Sequence, residues 1–222
     1  MSLKKDIYEK SYEKKVMKKV MNKNNALIIF AKPPIAGLAK TRLIPALGEE
    51  GAAEYHGKLL RHTLTNVVCE GEWDSHLWCS ENMGHSFFQS CLADYAITLH
   101  EQSGDDLGER MANAIQSMLG EYESVCIIGS DCPVLNRDKI RIVFASLNSK
   151  DDVVITPAED GGYVLLAVRQ QLRTEIFSGI KWGGADVYRQ TLNKVRLLAL
   201  KPAIQPVLWD VDEPADLDRI IL

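Results

Sequence analysis

The run Ala26-Leu-Ile-Ile-Phe-Ala31, broken at once by Lys32-Pro33-Pro34, constrains the fold of this chain more than any other stretch. Six apolar residues without polar alternation read as a buried strand. The loop that follows carries Lys32, Lys40, Thr41 and Arg42, with Gly37 free to bring backbone close to a ligand. A cationic loop at the end of a first strand is where α/β proteins hold phosphate groups. The loop has neither the G-x-x-x-x-G-K-[ST] spacing of a Walker loop nor the G-x-G-x-x-G of a dinucleotide site. What remains is a phosphate grip made of side chains, with Arg42 able to fork and the lysines acting as point charges. The bland alternative is a solvated basic turn.

Charge makes this loop stand out. The 222 residues carry a net charge of −4, yet residues 1–25 hold eight lysines against three acids. The remainder of the chain therefore stands at −9. So acidic a body argues against general nucleic-acid binding and points to a polyanion held locally. Residues 1–25 read as a basic extension, either a helix that meets a surface or a tail. Residues 26–222 are of a length that fits one domain. Absence of a membrane-spanning apolar run and of a signal peptide leads to an expectation of the cytoplasm. Five scattered cysteines, none in a C-x-x-C pair, fit reduced thiols there.

Apolar runs alternate with helical stripes along residues 26–222. Strands are expected at 26–31, 76–80, 96–100, 125–129, 153–156 and 164–168. Helices are expected at 49–70, 87–93, 107–119, 137–147 and 185–192, and a short one from Pro214. This alternation predicts an α/β fold with a mostly parallel sheet covered on both faces.

Four further motifs could carry chemistry. In Gly104-Asp105-Asp106-Leu-Gly108-Glu109-Arg110 the acids suit a helix cap, and Arg110 could turn to a ligand. Val125-Cys-Ile-Ile-Gly129-Ser-Asp131-Cys132-Pro133 ends an apolar run in a carboxylate, the usual way of holding Mg²⁺ beside substrate phosphates. A helix cap is the competing role for Asp131. Glu159-Asp160-Gly161-Gly162-Tyr163 reads either as a hairpin turn or as bare backbone laid against an acceptor or sugar. In Trp209-Asp210-Val211-Asp212, extended backbone would turn both acids to one side, where they could join Asp131 around a metal. Cys132 reads as a buried spectator thiol.

Taken in order, AKPPIAGLAKTRL, GDDLGERM, IIGSDCPVL, PAEDGGYVLLAV, IKWGGADV and WDVDEPADL resemble a bacterial family of the glycosyltransferase A superfamily, from about Ala26 to Leu222. The resemblance implies the nucleotide-diphospho-sugar transferase fold, a Rossmann-like α/β/α sandwich around a mixed sheet. It also implies a transferase with a nucleotide-activated substrate and Mg²⁺ or Mn²⁺. Asp131-x-Pro133 replaces the D-x-D of glycosyltransferases, and the basic loop is that of nucleotidyltransferases such as those making molybdopterin-guanine dinucleotide or lactyl-phospho-guanosine. The expected reaction is therefore nucleotidyl transfer from an NTP to a phosphorylated acceptor. Sugar transfer from an NDP-sugar and non-catalytic nucleotide binding are the alternatives. On this reading Lys32, Gly37, Lys40, Thr41, Arg42 and Arg110 bind nucleotide, with Asp131, Lys40 and Arg42 catalytic. Asp131 and Asp212 hold the metal, and Asp160, Gly161, Gly162, Tyr163 and Trp182 face a small-molecule acceptor. The chain departs from the family at Gly183-Gly184, where Ser or Thr more often follows the tryptophan.

Overall fold

The computed structural model describes residues 24–169 and 173–220. The extension expected over residues 1–25 lies outside them apart from Asn24 and Asn25. Among the described residues seven strands form one sheet: β1 (Asn25–Ala31), β2 (Asp74–Cys79), β3 (Ile97–Glu101), β4 (Ser124–Ile128), β5 (Val153–Pro157), β6 (Tyr163–Arg169) and β7 (Pro202–Ile204). Their order is β3-β2-β1-β4-β6-β5-β7, and only β6 runs antiparallel to its neighbours. The helices are α1 (Ile44–Val67), α2 (Ser86–Asp94), α3 (Leu107–Leu119), α4 (Arg137–Ser149) and α5 (Val187–Leu197).

β1 is central because both its faces are apolar. Leu27, Ile29 and Ala31 enter the core under α1, α2 and α4, with Leu60, Phe88 and Phe144. Ala26 and Ile28 enter the opposite core under α3 and α5, with Ile115 and Val195. A strand with helices on both sides gains burial from every residue, which is why it shows no polar alternation. The chain steps outward from β1 to β2 and β3, then returns to place β4 on the other side of β1. That reversal opens a crevice above the carboxyl ends of β1 and β4, where open α/β sheets bind ligands.

The expected strands are all present within a few residues, and three details differ. α1 begins at Ile44 rather than Glu49, with Gly48 at φ 73° forming a kink inside it. α5 runs to Leu197, past the expected end at Leu192. β7 was not anticipated: a short edge strand pairs Val153–Ile155 with Pro202–Ile204. No helix among the described residues is long and apolar enough to cross a membrane.

Candidate active site

The crevice holds two adjoining clefts with Asp131 on the wall of both. Asp131 stands just beyond β4 and does not cap a helix. The N-cap of α4 is Asn136, whose side chain accepts from the Lys139 amide at 3.0 Å. Instead, Lys40 Nζ donates to Asp131 Oδ2 at 3.0 Å and also to the Val211 carbonyl. Lys40 sits at φ 46°, a left-handed conformation uncommon for a residue with a side chain. Such backbone costs on the order of 1–3 kcal/mol and survives where surrounding contacts hold it. Burial would lower the Lys40 pKa, but Asp131, Asp212 and Asp210 outweigh it and hold the ammonium above its ordinary value. Burial likewise opposes charge on Asp131, and Lys40 prevails, so this carboxyl titrates below its usual range.

The first cleft, of about 380 Å³, is basic. Lys32, Lys40, Thr41 and Arg42 line one side, and Arg110 at the start of α3 lines another. Arg42 forms a close ion pair with Asp212, whereas Lys32 and Arg110 have no ion-pair partner among the described residues. Gly37 does not line the cleft. Its φ of 76° makes the turn that carries the loop back toward α1. Asp106 caps α3 by accepting from the Glu109 amide, so the capping role read for that motif stands beside the placement of Arg110.

The second cleft, of about 280 Å³, lies over β4 and β6 and is acidic and aromatic. Asp160, Gly162, Tyr163 and Trp182 all line it. The Asp160 carboxylate accepts from the Gly162 amide at 2.8 Å in the β5–β6 hairpin turn. Two glycines lock this wall. Gly161 has φ 91°, and any Cβ on it would overlap the Ala185 carbonyl. A Cβ on Gly108 would lie within 2.5 Å of the Trp182 ring. The motifs around residues 104–110, 158–163 and 181–187 thus interlock, the Trp182 ring lying on Gly108 and the Ala185 backbone on Gly161.

Asp210 and Asp212 line adjoining clefts, and both lie close enough to Lys40 to raise its pKa. The segment is not a strand, and the fully buried Val211 between them packs on Leu43, Ala52 and Leu59. The Val211 amide donates to the Asp131 carbonyl at 2.9 Å. This pin sends Asp212 into the basic cleft and Asp210 into the acidic one. Burial, and then the charges of Asp131 and Asp160, push the Asp210 pKa up to about 6. Asp212 is taken up by Arg42, with Lys40 at 3.9 Å. Among the described residues no three His, Cys, Asp or Glu side chains group closely enough to form a metal cage.

Sequence reading missed His56. It is buried on the α1 stripe with Ala52, Leu59 and Thr63, lines the basic cleft, and its Nε2 lies 3.0 Å from the Lys32 carbonyl. A lone histidine on an apolar helix face was the available signal. Cys132 is buried, and burial pushes its thiol up to about 12, as suits a spectator.

The profile of a family described as "uncharacterized protein conserved in bacteria" (DUF2064) matches residues 63–184. Among solved structures, a Desulfovibrio desulfuricans G20 protein provisionally named a nucleotide-diphospho-sugar transferase is 30% identical. That alignment has a TM-score of 0.78 and covers 86% of this chain and 83% of that one. The 4-diphosphocytidyl-2C-methyl-D-erythritol synthase of Anaerococcus prevotii DSM 20548 is 12% identical at a TM-score of 0.60, over 90% of this chain and 96% of that one. A CMP:2-keto-3-deoxy-manno-octonic acid synthetase complexed with CTP is 10% identical at a TM-score of 0.55, over 88% and 96%. The last two likenesses show a shared fold. No curated protein sequence matches the chain. With the profile spanning more than half of its length and a 30% identical relative aligned over most of both chains, this protein belongs to the bacterial DUF2064 family and has the nucleotide-diphospho-sugar transferase fold.

Proposed function

We propose that this protein is a metal-dependent nucleotidyltransferase that takes an NTP in the basic cleft. The observation that carries the reading is the placement of Lys32, Lys40, Arg42 and Arg110 around one crevice at the carboxyl ends of β1 and β4. That much positive charge in an otherwise acidic protein suits a triphosphate. The named activities of the structural relatives, which are transferases of nucleotidyl or sugar groups, support the class.

The carboxylates fit Mg²⁺ or Mn²⁺ at the boundary of the clefts. Burial and the charges of Asp131 and Asp160 oppose ionisation of Asp210, a surplus of negative charge that a hard cation would relieve. Asp210 joins Asp131 as a ligand on the acidic side, and Asp212 becomes free to assist once Arg42 turns to phosphate. Two carboxylates together with substrate phosphates are a usual holding for Mg²⁺, which needs no full protein cage. When bound, the metal supplies charge neutralisation on the phosphates.

The chain's own residues do the rest. Lys40 and Arg42 exchange Asp131 and Asp212 for phosphate oxygens. Lys32 and Arg110 complete the grip and fix the triphosphate for in-line attack. An acceptor oxygen in the second cleft bonds to the α-phosphorus as the bond to the β-phosphate oxygen breaks, any proton it carries passes to water, and pyrophosphate leaves toward Lys32 and Arg42. Sugar transfer is the second reading, favoured by the name of the 30% identical relative.

Incubation with each NTP or NDP-sugar, Mg²⁺ or Mn²⁺ and a cell extract separates the two. Nucleotidyl transfer releases pyrophosphate, and Asp131→Asn abolishes it with the fold intact. Release of NDP instead establishes sugar transfer. Nucleotide binding that ignores metal and survives Asp131→Asn identifies a non-catalytic binder.

A further inference from the structure

We infer that the acceptor is a neutral or cationic molecule with an apolar or aromatic body, not a phosphate ester. The inference rests on the transferase reading for the word acceptor; the charge argument concerns the second cleft alone.

Asp131, Asp160 and Asp210 line that cleft, and among the described residues no lysine or arginine does. Once Lys40 has left Asp131 for the nucleotide phosphates, one divalent cation between Asp131 and Asp210 leaves three carboxylates facing two positive charges. The remaining acid, Asp160, belongs to the β5–β6 hairpin turn and lines the second cleft, not the basic one. A second phosphate would enter a part-buried site of its own sign, where like charges are costly. The helix terminus on the rim carries acids of its own. At the start of α3, Asp106 accepts from the Glu109 amide at 2.8 Å and Glu109 accepts from the Asp105 amide at 2.9 Å. Those donors are spent on the chain's own carboxylates.

The rest of the lining is apolar or aromatic: Phe30, Met111, Tyr163 and Trp182. Trp182 is held in place by Gly108, Phe177 and the Gly161–Ala185 contact, so the wall is preformed. Carboxylates beside aromatic faces recognise ammonium groups and hydroxyls.

Three probes with one benzyl body test this on the full chain: benzyl alcohol, benzylamine and benzyl phosphate. Tryptophan fluorescence and calorimetry would follow each titration, with and without Mg²⁺ and α,β-methylene-CTP. Benzylamine and benzyl alcohol should quench, the signal should vanish in Trp182→Phe, and benzyl phosphate should bind at least about tenfold more weakly. Asp160→Asn keeps the turn acceptor and should narrow the gap between amine and phosphate. Benzyl phosphate binding as well as the alcohol would overturn the inference, and so would no Trp182-dependent quench with any probe. The ranking needs no nucleotide. If it holds while no NTP reacts, the nucleotidyl reading falls and the acceptor class stands; if pyrophosphate is released but the ranking inverts, the reverse follows.

Discussion

The two clefts that meet at Asp131 are built from opposite charges and by opposite means. The basic cleft is a set of long side chains on a loop, and two of its cations are tied to acids: Lys40 to Asp131, Arg42 to Asp212. The acidic cleft is a wall of glycines, rings and short carboxylates fixed by backbone contact. One side can rearrange when a ligand arrives, and the other is shaped in advance. The pairing of cations with acids also couples the ligands. A phosphate that draws Lys40 and Arg42 away frees carboxylates, and a metal on Asp131 frees Lys40. Metal and NTP should therefore raise each other's affinity by the same factor.

The largest effect should come from breaking the contact between the clefts. Lys40→Ala removes a phosphate ligand and leaves Asp131 without its cation. NTP affinity should drop by about 100-fold, or about 2.7 kcal/mol, measured by calorimetry in Mg²⁺. An unchanged dissociation constant would remove Lys40 from the phosphate grip. Next in size, Gly161→Ala must relieve a clash with the Ala185 carbonyl at a positive φ. It should cost about 2–3 kcal/mol in urea unfolding and impair the acceptor side, while NTP binding in the basic cleft persists. Loss of both bindings together would show that the two walls are not separable.

Much of this contrast could be read in the sequence, and the missing parts have physical causes. β1 and β4 were legible because strands buried on both faces must be apolar throughout, and the loop because its cations interrupt an acidic chain. Trp182 and Gly108 had no visible link, since their contact depends on how α3 meets a loop more than seventy residues away. The alternation of Asp210 and Asp212 around Val211 suggested a shared side. Val211 turns inward to the Leu43–Ala52–Leu59 cluster with a partly exposed acid on each side, and the alternation did not show that the two acids border different clefts. β7 is three residues long and lies at the sheet edge, too short a run for composition to mark. The hairpin reading of Asp160–Tyr163 and the capping reading of Asp106 both hold, and each coexists with a place on a cleft wall.

A smaller effect separates the clefts by electrostatics. Asp210 titrates near 6, well above an ordinary aspartate, so folding opposes its ionisation. A raised carboxyl binds its proton more tightly in the folded state, and stability is lost as pH climbs from about 4 to about 6. Asp210→Asn should therefore raise stability at pH 7.5 by about 1–2 kcal/mol, a figure reduced for the water that reaches the side chain. The gain should be absent near pH 4. The comparison belongs in EDTA, where no cation offsets the charge, and a variant that is destabilised at pH 7.5 would show that Asp210 is not under electrostatic strain.

His56 gives the smallest effect and the opposite slope. Burial lowers its pKa, partly countered by its bond to the Lys32 carbonyl, so the folded protein keeps the ring neutral. The unfolded chain protonates it near pH 6.5 and then binds more protons than the folded one. The His56 contribution is thus intact above about pH 6.5 and is lost as pH falls below it. In EDTA, the wild-type urea midpoint should fall between pH 7.5 and pH 5.5, and His56→Gln should lessen that fall. Because Asp210 works the other way in part of this range, the double variant His56→Gln/Asp210→Asn should have the flattest profile of the four proteins. A His56→Gln profile as steep as the wild type would place the pH sensitivity of the basic cleft on another group.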